Sequence, residues 1–214
     1  MCFSLHMSFL AAGLLTSIGI LTLKKVSHRS EIPLASIPLI FALQQAAEGM
    51  LWLLLPTGNY PAIITISKYV FLSIATIVWP LFIPFTLLLL EPQLIRRAII
   101  ASCLVIAMGW TLTVVWNGIH YGALAEIRQC HIYYEFLNNE TNFILQTAIY
   151  CITTLVPFFA SSNYSIRFMG GLLTAACIVT YVVWYAYFVS VWCFFAALLS
   201  VATYRIISTR PHRV

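Results

Sequence analysis

The chain has 214 residues, 62% of them hydrophobic and only 8% charged, against about 25% charged in a soluble domain. So few polar side chains cannot cover a water-exposed surface, and the solvent of this chain must be lipid. The net charge of +5 comes from basic residues in short runs between apolar spans, a pattern of membrane orientation rather than a nucleic-acid footprint, and the absence of aspartate excludes aspartyl dyads, Asp-based metal sites and Ser-His-Asp triads.

The first apolar span covers residues 4–23, directly followed by Lys24, Lys25, His28 and Arg29. With no basic n-region and no small-x-small cleavage site, the N-terminus does not read as a cleavable signal peptide. The second span, residues 33–55, ends at Pro56 and a turn, Thr57 to Pro61. It carries Gln44, Gln45 and Glu48 in its middle, and Glu48 is the one acidic residue well inside an apolar span. A charge at that depth costs roughly 2.5–3.5 kcal/mol on insertion scales, so it should face protein or a water-filled cavity. At helical spacing Gln44, Glu48 and Trp52 share one face, with Gln45 beside them.

The third span, residues 64–90, contains Pro80 and Pro84 and should kink or tilt. Glu91, Arg96 and Arg97 precede the fourth span, 98–116. The only long loop follows, 117–142, and its segment 129–136 alternates Cys130, Ile132, Tyr134 and Phe136 against His131, Tyr133 and Glu135, as a short strand or a partly buried lid would. The fifth span is 143–160. Residues 169–206 carry a single charge, Arg205, and are too long for one crossing, so they divide near 188–190 into spans six and seven. In a six-span alternative, this stretch is a hairpin that only dips into the membrane. Residues 1–207 thus form a seven-helix transmembrane domain, and 208–214 form a basic tail with Arg210, His212 and Arg213. The fold class is all-α, a polytopic bundle. Lysine and arginine counts put the N-terminus outside and the C-terminus in the cytoplasm, with Lys68 the one misfit, able to snorkel to the outer interface.

That orientation gathers the unusual chemistry on the outer side: Glu48 in its half of the bilayer, Cys2 and His6 opening span one, His120, Cys130 and His131 in the long loop, and Trp192 and Cys193 in span seven. A zinc or copper site from Cys2, His6, Cys193 and His131 is conceivable by ligand type. A Cys2–Cys130 or Cys130–Cys193 disulfide, or free thiols, ranks above it. Cys103, Cys151 and Cys177 lie among apolar neighbours and read as small core residues. No lysine lies in span seven, which excludes a retinal protein of the usual form.

Met1-Cys2-Phe3-Ser4 with Ser8-Phe9, Leu43-Gln44-Gln45-Ala46-Ala47-Glu48-Gly49 with Trp52, and Ser190-Val191-Trp192-Cys193-Phe194-Phe195-Ala196-Ala197 together resemble a bacterial family of multi-pass membrane proteins of unknown function. The resemblance runs from residue 2 to residue 200. It implies an inner-membrane location, so the sequon Asn139-Glu140-Thr141 would carry no glycan. Members of that family usually have a small residue at the position of His6, which speaks against His6 as a ligand. The resemblance carries no activity with it, and the cofactor is unknown from the sequence.

Three functional expectations follow from the residues. The first is a sensor or accessory subunit, bound to a partner membrane protein, whose outward pocket of Glu48, Gln44, Gln45, Trp52, Trp192 and His131 takes a small polar or cationic ligand. The second is a small-solute or proton-coupled transporter with Glu48 as the protonated group, although the recurrence of Gly13-Leu14-Leu15-Thr16 as Gly171-Leu172-Leu173-Thr174 is too short to be a repeat. The third, ranked last, is an intramembrane thiol or metal enzyme using Cys193, His131 and Glu48.

Overall fold

The structure is a computed structural model, and it describes residues 4–129, 131–137 and 143–209. Cys2, Cys130, the sequon at 139–141 and the tail residues Arg210, His212 and Arg213, all considered above, lie outside the described residues. The chain folds as a helical bundle with one added β-hairpin. Among the described residues, six helical stretches are long and apolar enough to cross a membrane: Leu5–Leu23, Arg29–Leu54, Pro61–Leu90, Leu94–His120, Tyr164–Val183 and Tyr185–Ser208; Leu145–Ala160 is a shorter apolar helix.

Helix α1 (Leu5–Leu23) begins where the Ser4 hydroxyl accepts the Met7 N–H, 3.4 Å away. After Lys24 and Lys25 the buried Glu31 carboxylate accepts from the backbone N–H groups of Ser27 and His28, at 3.0 and 3.3 Å, and turns the chain into α2 (Ile32–Leu54). Helices α1 and α2 pack closely because Gly19 has no side chain: a Cβ there would lie 2.6 Å from the Leu39 side chain.

The kink foreseen in the third span takes a specific form. Helices α3 (Pro61–Ser73) and α4 (Trp79–Leu90) join through one π-helical turn, Ile74–Val78, closed by the Trp79 N–H on the Ile74 carbonyl. Pro80 has no N–H to give to the carbonyl of Thr76 four residues back. The Trp110 indole N–H, from α5 (Leu94–His120), occupies that carbonyl instead at 3.1 Å. Trp110→Phe should therefore lower stability by about 1 kcal/mol, the usual worth of such a bond, in an unfolding titration in detergent. An unchanged midpoint would mean that water serves the Thr76 carbonyl equally well.

Helix α5 runs past the predicted 98–116 at both ends and turns Leu94, Ile95, Val105, Leu112 and Ile119 outward. An exposed apolar face of this length is what lipid contact requires. The loop after it is correspondingly shorter than expected and mostly ordered as strands. Strand β1 (Ala123–Arg128) pairs antiparallel with β2 (His131–Phe136), with Leu124 opposite Glu135 and Ile127 opposite Ile132. Gln129 takes φ 55° at the turn, the left-handed region that tight hairpin turns demand. The alternation of β2 was legible in advance; its partner β1 was not. Lys68 reaches the hairpin and donates to the Ala123 carbonyl at 2.6 Å.

Helices α6 (Phe143–Ala160) and α7 (Tyr164–Val183) form a tight antiparallel pair. Three charged side chains fasten the turn between them. Arg96 donates to the carbonyls of Ala160 and Ser161, Arg167 to those of Ser161 and Ser162, and the buried Glu91 carboxylate accepts the Ser162 N–H at 2.6 Å. The break between the last two predicted spans falls at Trp184–Tyr187, not at 188–190. Ser190 is not a turn residue but lies inside α8 (Phe188–Leu199), because its hydroxyl has a partner in the core. Helix α8 is apolar around most of its circumference and packs on α2, α7 and β2, with α9 (Ala202–Ser208) following it.

Candidate functional site

Helix α2 places Gln44, Gln45 and Glu48 against the bundle interior, and all three are buried, Glu48 at 2% exposure. Ser190 from α8 donates to one Glu48 carboxylate oxygen at 2.5 Å, and the Gln45 amide donates to the other at 3.3 Å. The Trp79 indole, in the first turn after the π-helical segment, donates to Gln44 Oε1 at 2.9 Å. The Cys193 thiol, one turn from Ser190 on α8, is buried within reach of Gln44 and Glu48.

The bond from Ser190 is unusual for this chain. Thr16, Thr22, Thr76, Thr153, Thr154, Thr174 and Ser200 all donate back to a carbonyl of their own helix, which is the ordinary fate of a hydroxyl in an apolar helix. Ser190 instead joins two helices distant in sequence. Among the described residues no Lys, Arg or His forms an ion pair with Glu48.

The hairpin closes this cluster. Tyr134 of β2 stacks on Phe71 with ring centroids 4.5 Å apart, and lies over a small apolar group of Ala47, Phe71, Ala75 and Cys193. Its hydroxyl lies in the electrostatic reach of Glu48 and Cys193 yet has no hydrogen-bond partner among the described residues, and Gln45 Oε1 is equally unpartnered among them. Burial, with the Glu48 and Cys193 charges next in weight, pushes the Tyr134 phenol well above its ordinary value, so it stays protonated.

Successive side chains on a strand point to opposite faces, so His131 is turned away from the face that carries Tyr134. It stacks on Tyr187 at 4.6 Å and is buried there. Burial holds its imidazole below the ordinary value of 6.5. The unfolded chain therefore takes up this proton first as pH falls. The contribution of His131 to hairpin stability is full above pH 6.5 and is lost as pH drops towards the lower folded value. Amide exchange in β1 and β2, corrected for intrinsic rates, should quicken between pH 7.5 and 5.5, and His131→Phe should remove that dependence. Equal pH sensitivity in the variant would place its origin elsewhere.

The other expected site residues are distributed unevenly. Trp52 is half-buried against the main core, and Trp192 is buried between Tyr150 and Phe188; both indole N–H groups lack a partner among the described residues. Trp192, Tyr150, Thr154 and Cys193 line an apolar internal cavity of ≈ 40 Å³ that also touches Trp79 and Met169. That is room for a few waters at most, far below the roughly 300 Å³ of a drug-sized site, and Glu48 does not line it. His6 is exposed on α1. Among the described residues no three His, Cys, Asp or Glu side chains gather closely enough to hold a metal ion.

A family model matches residues 1–214. The chain belongs to DUF6629, a family of unknown function. No curated protein and no solved structure matches it. In this DUF6629 member, Ser190, Trp79 and Tyr134 are the site residues that sequence reasoning missed. The signal for Ser190 was that it shares a helix face with Cys193 at i, i+3; the expectation of a lid at 129–136 over the Glu48 pocket covered Tyr134 as part of a segment without singling it out, and nothing in the sequence linked Trp79 to Glu48.

Proposed function

We propose that the chain is a seven-span protein of the bacterial inner membrane, N-terminus outside and C-terminus in the cytoplasm, that binds a small cationic or hydrogen-bonding ligand at Glu48. It acts as a sensor or accessory subunit and passes the state of that site to a partner membrane protein. In this reading residues 1–207 are the binding domain and 208–214 a basic cytoplasmic tail. The supporting observation is the buried Glu48 carboxylate, which has no cationic partner among the described residues, beside two buried oxygens, Gln45 Oε1 and Tyr134 Oη, that no described residue engages. Unengaged buried oxygens are costly, and an ammonium group at this position would offer N–H donors to all three. Gln44, Trp52, Trp192 and His131 are the surrounding residues of the same proposed site, with His131 on the supporting face of the hairpin.

A thermal-shift screen in detergent tests this with ammonium, methylammonium and ethylammonium chloride, and sodium chloride at equal ionic strength as control. Stabilisation is expected with the amines in the wild type and not in Glu48→Gln. Equal shifts in both proteins, or none in either, would sink the idea.

A second reading is a proton-coupled transporter. The π-helical turn and Pro80 next to Trp79 favour it, because discontinuities of this kind often accompany functional sites and moving segments. Uptake of amines into proteoliposomes that ignores an imposed pH gradient would remove the reason to assign Glu48 a proton-carrying role.

A further inference from the structure

Cys151 and Cys177 read in the sequence as unrelated core residues. In the structure their sulfurs are 4.0 Å apart, across the contact between α6 and α7. Their register explains why. A Cβ placed on Gly170 would lie 2.5 Å from the Phe158 Cβ, so the two helices make their closest approach where Phe158 faces Gly170. Cys151 lies seven residues before Phe158, and Cys177 seven after Gly170. In an antiparallel pair one heptad along both helices returns to the same seam, roughly 10 Å further on. The thiols therefore meet by construction of the helix pair, whose turn is held by Glu91, Arg96 and Arg167.

We propose that Cys151 and Cys177 form a dithiol site that a small apolar disulfide oxidises to an intramolecular disulfide stapling α6 to α7. This is independent of the Glu48 site. Cys151 is the less buried of the two and is the entry point, whereas Cys177 is buried and resolves. The Cys151 sulfur attacks one sulfur of the reagent and expels one thiol-bearing half, which takes up the Cys151 proton. The Cys177 sulfur then attacks Cys151 and expels the second half, which takes up the Cys177 proton. The two cysteines lose two electrons, and the reagent is reduced to two thiols. The closing step requires the sulfurs to approach from 4.0 Å to bonding distance, about 2.05 Å.

The test uses 4,4′-dithiodipyridine, which partitions into apolar phases, on the full chain in detergent. One equivalent should release two equivalents of thiopyridone. The intact mass should fall by two hydrogen atoms, with a Cys151–Cys177 linked peptide on digestion. Cys177→Ser should instead hold a stable pyridyl adduct on Cys151 and release a single equivalent. A wild-type protein that retains an adduct at Cys151, links other cysteines, or releases no thiopyridone overturns the proposal. The wild-type measurement decides the matter even where the variant does not fold.

Discussion

Glu48→Ala is expected to lower the unfolding free energy in detergent by about 3 kcal/mol, and Glu48→Gln to raise it by about 1 kcal/mol. The alanine variant leaves the Ser190 hydroxyl and the Gln45 amide without their acceptor and opens a void at a position only 2% exposed. The glutamine variant keeps an acceptor for Ser190 and removes the cost of a buried carboxylate that has no counter-charge. Its new amide would face the Gln45 amide, donor against donor, but Gln45 can flip and present Oε1, the atom now without a partner. The two substitutions thus separate the role of Glu48 in the fold from its proposed role in binding. Urea titration of both variants, read by tryptophan fluorescence, checks the order. A glutamine variant as unstable as the alanine one would mean that the charge itself holds α2 to α8.

Gly170→Leu is expected to cost about 3 kcal/mol, the upper range for overpacking a tight contact. The added Cβ would meet the Phe158 Cβ at 2.5 Å, and Phe158 is 2% exposed. Because the collision is with the Cβ rather than the ring, Phe158→Ala should not rescue it, and the double variant should be less stable than either single one. The α6–α7 turn cannot yield at its fastened end, so the helices must splay at the other, which carries Cys151 and Cys177 beyond the contact. Disulfide formation by dithiodipyridine should fall in the same variant. Thermal unfolding and thiopyridone release measured on one preparation test both statements, and full stability of Gly170→Leu would refute the register on which they rest.

Apolar content, span lengths and the depth of Glu48 are properties of consecutive residues, so a membrane-embedded helical bundle with one acid deep inside an apolar span could be read from the sequence directly. The same holds for the alternation of β2, which obeys a period of two, and for the kink at Pro80, which follows from a missing N–H. Partners are not local. Ser190 looks like a turn residue until α2 is placed beside α8, Tyr134 looks like one aromatic of several until the hairpin folds over Phe71, and β1 has no strand pattern of its own until β2 pairs with it. Cys151 and Cys177 have no motif spacing, and only the antiparallel register of α6 and α7, set by the glycine at 170, brings their sulfurs together. In an apolar chain nearly every helix face can pack on nearly any other. The choice among them is made by a few close approaches and buried hydrogen bonds, and those exist only once the tertiary structure has formed.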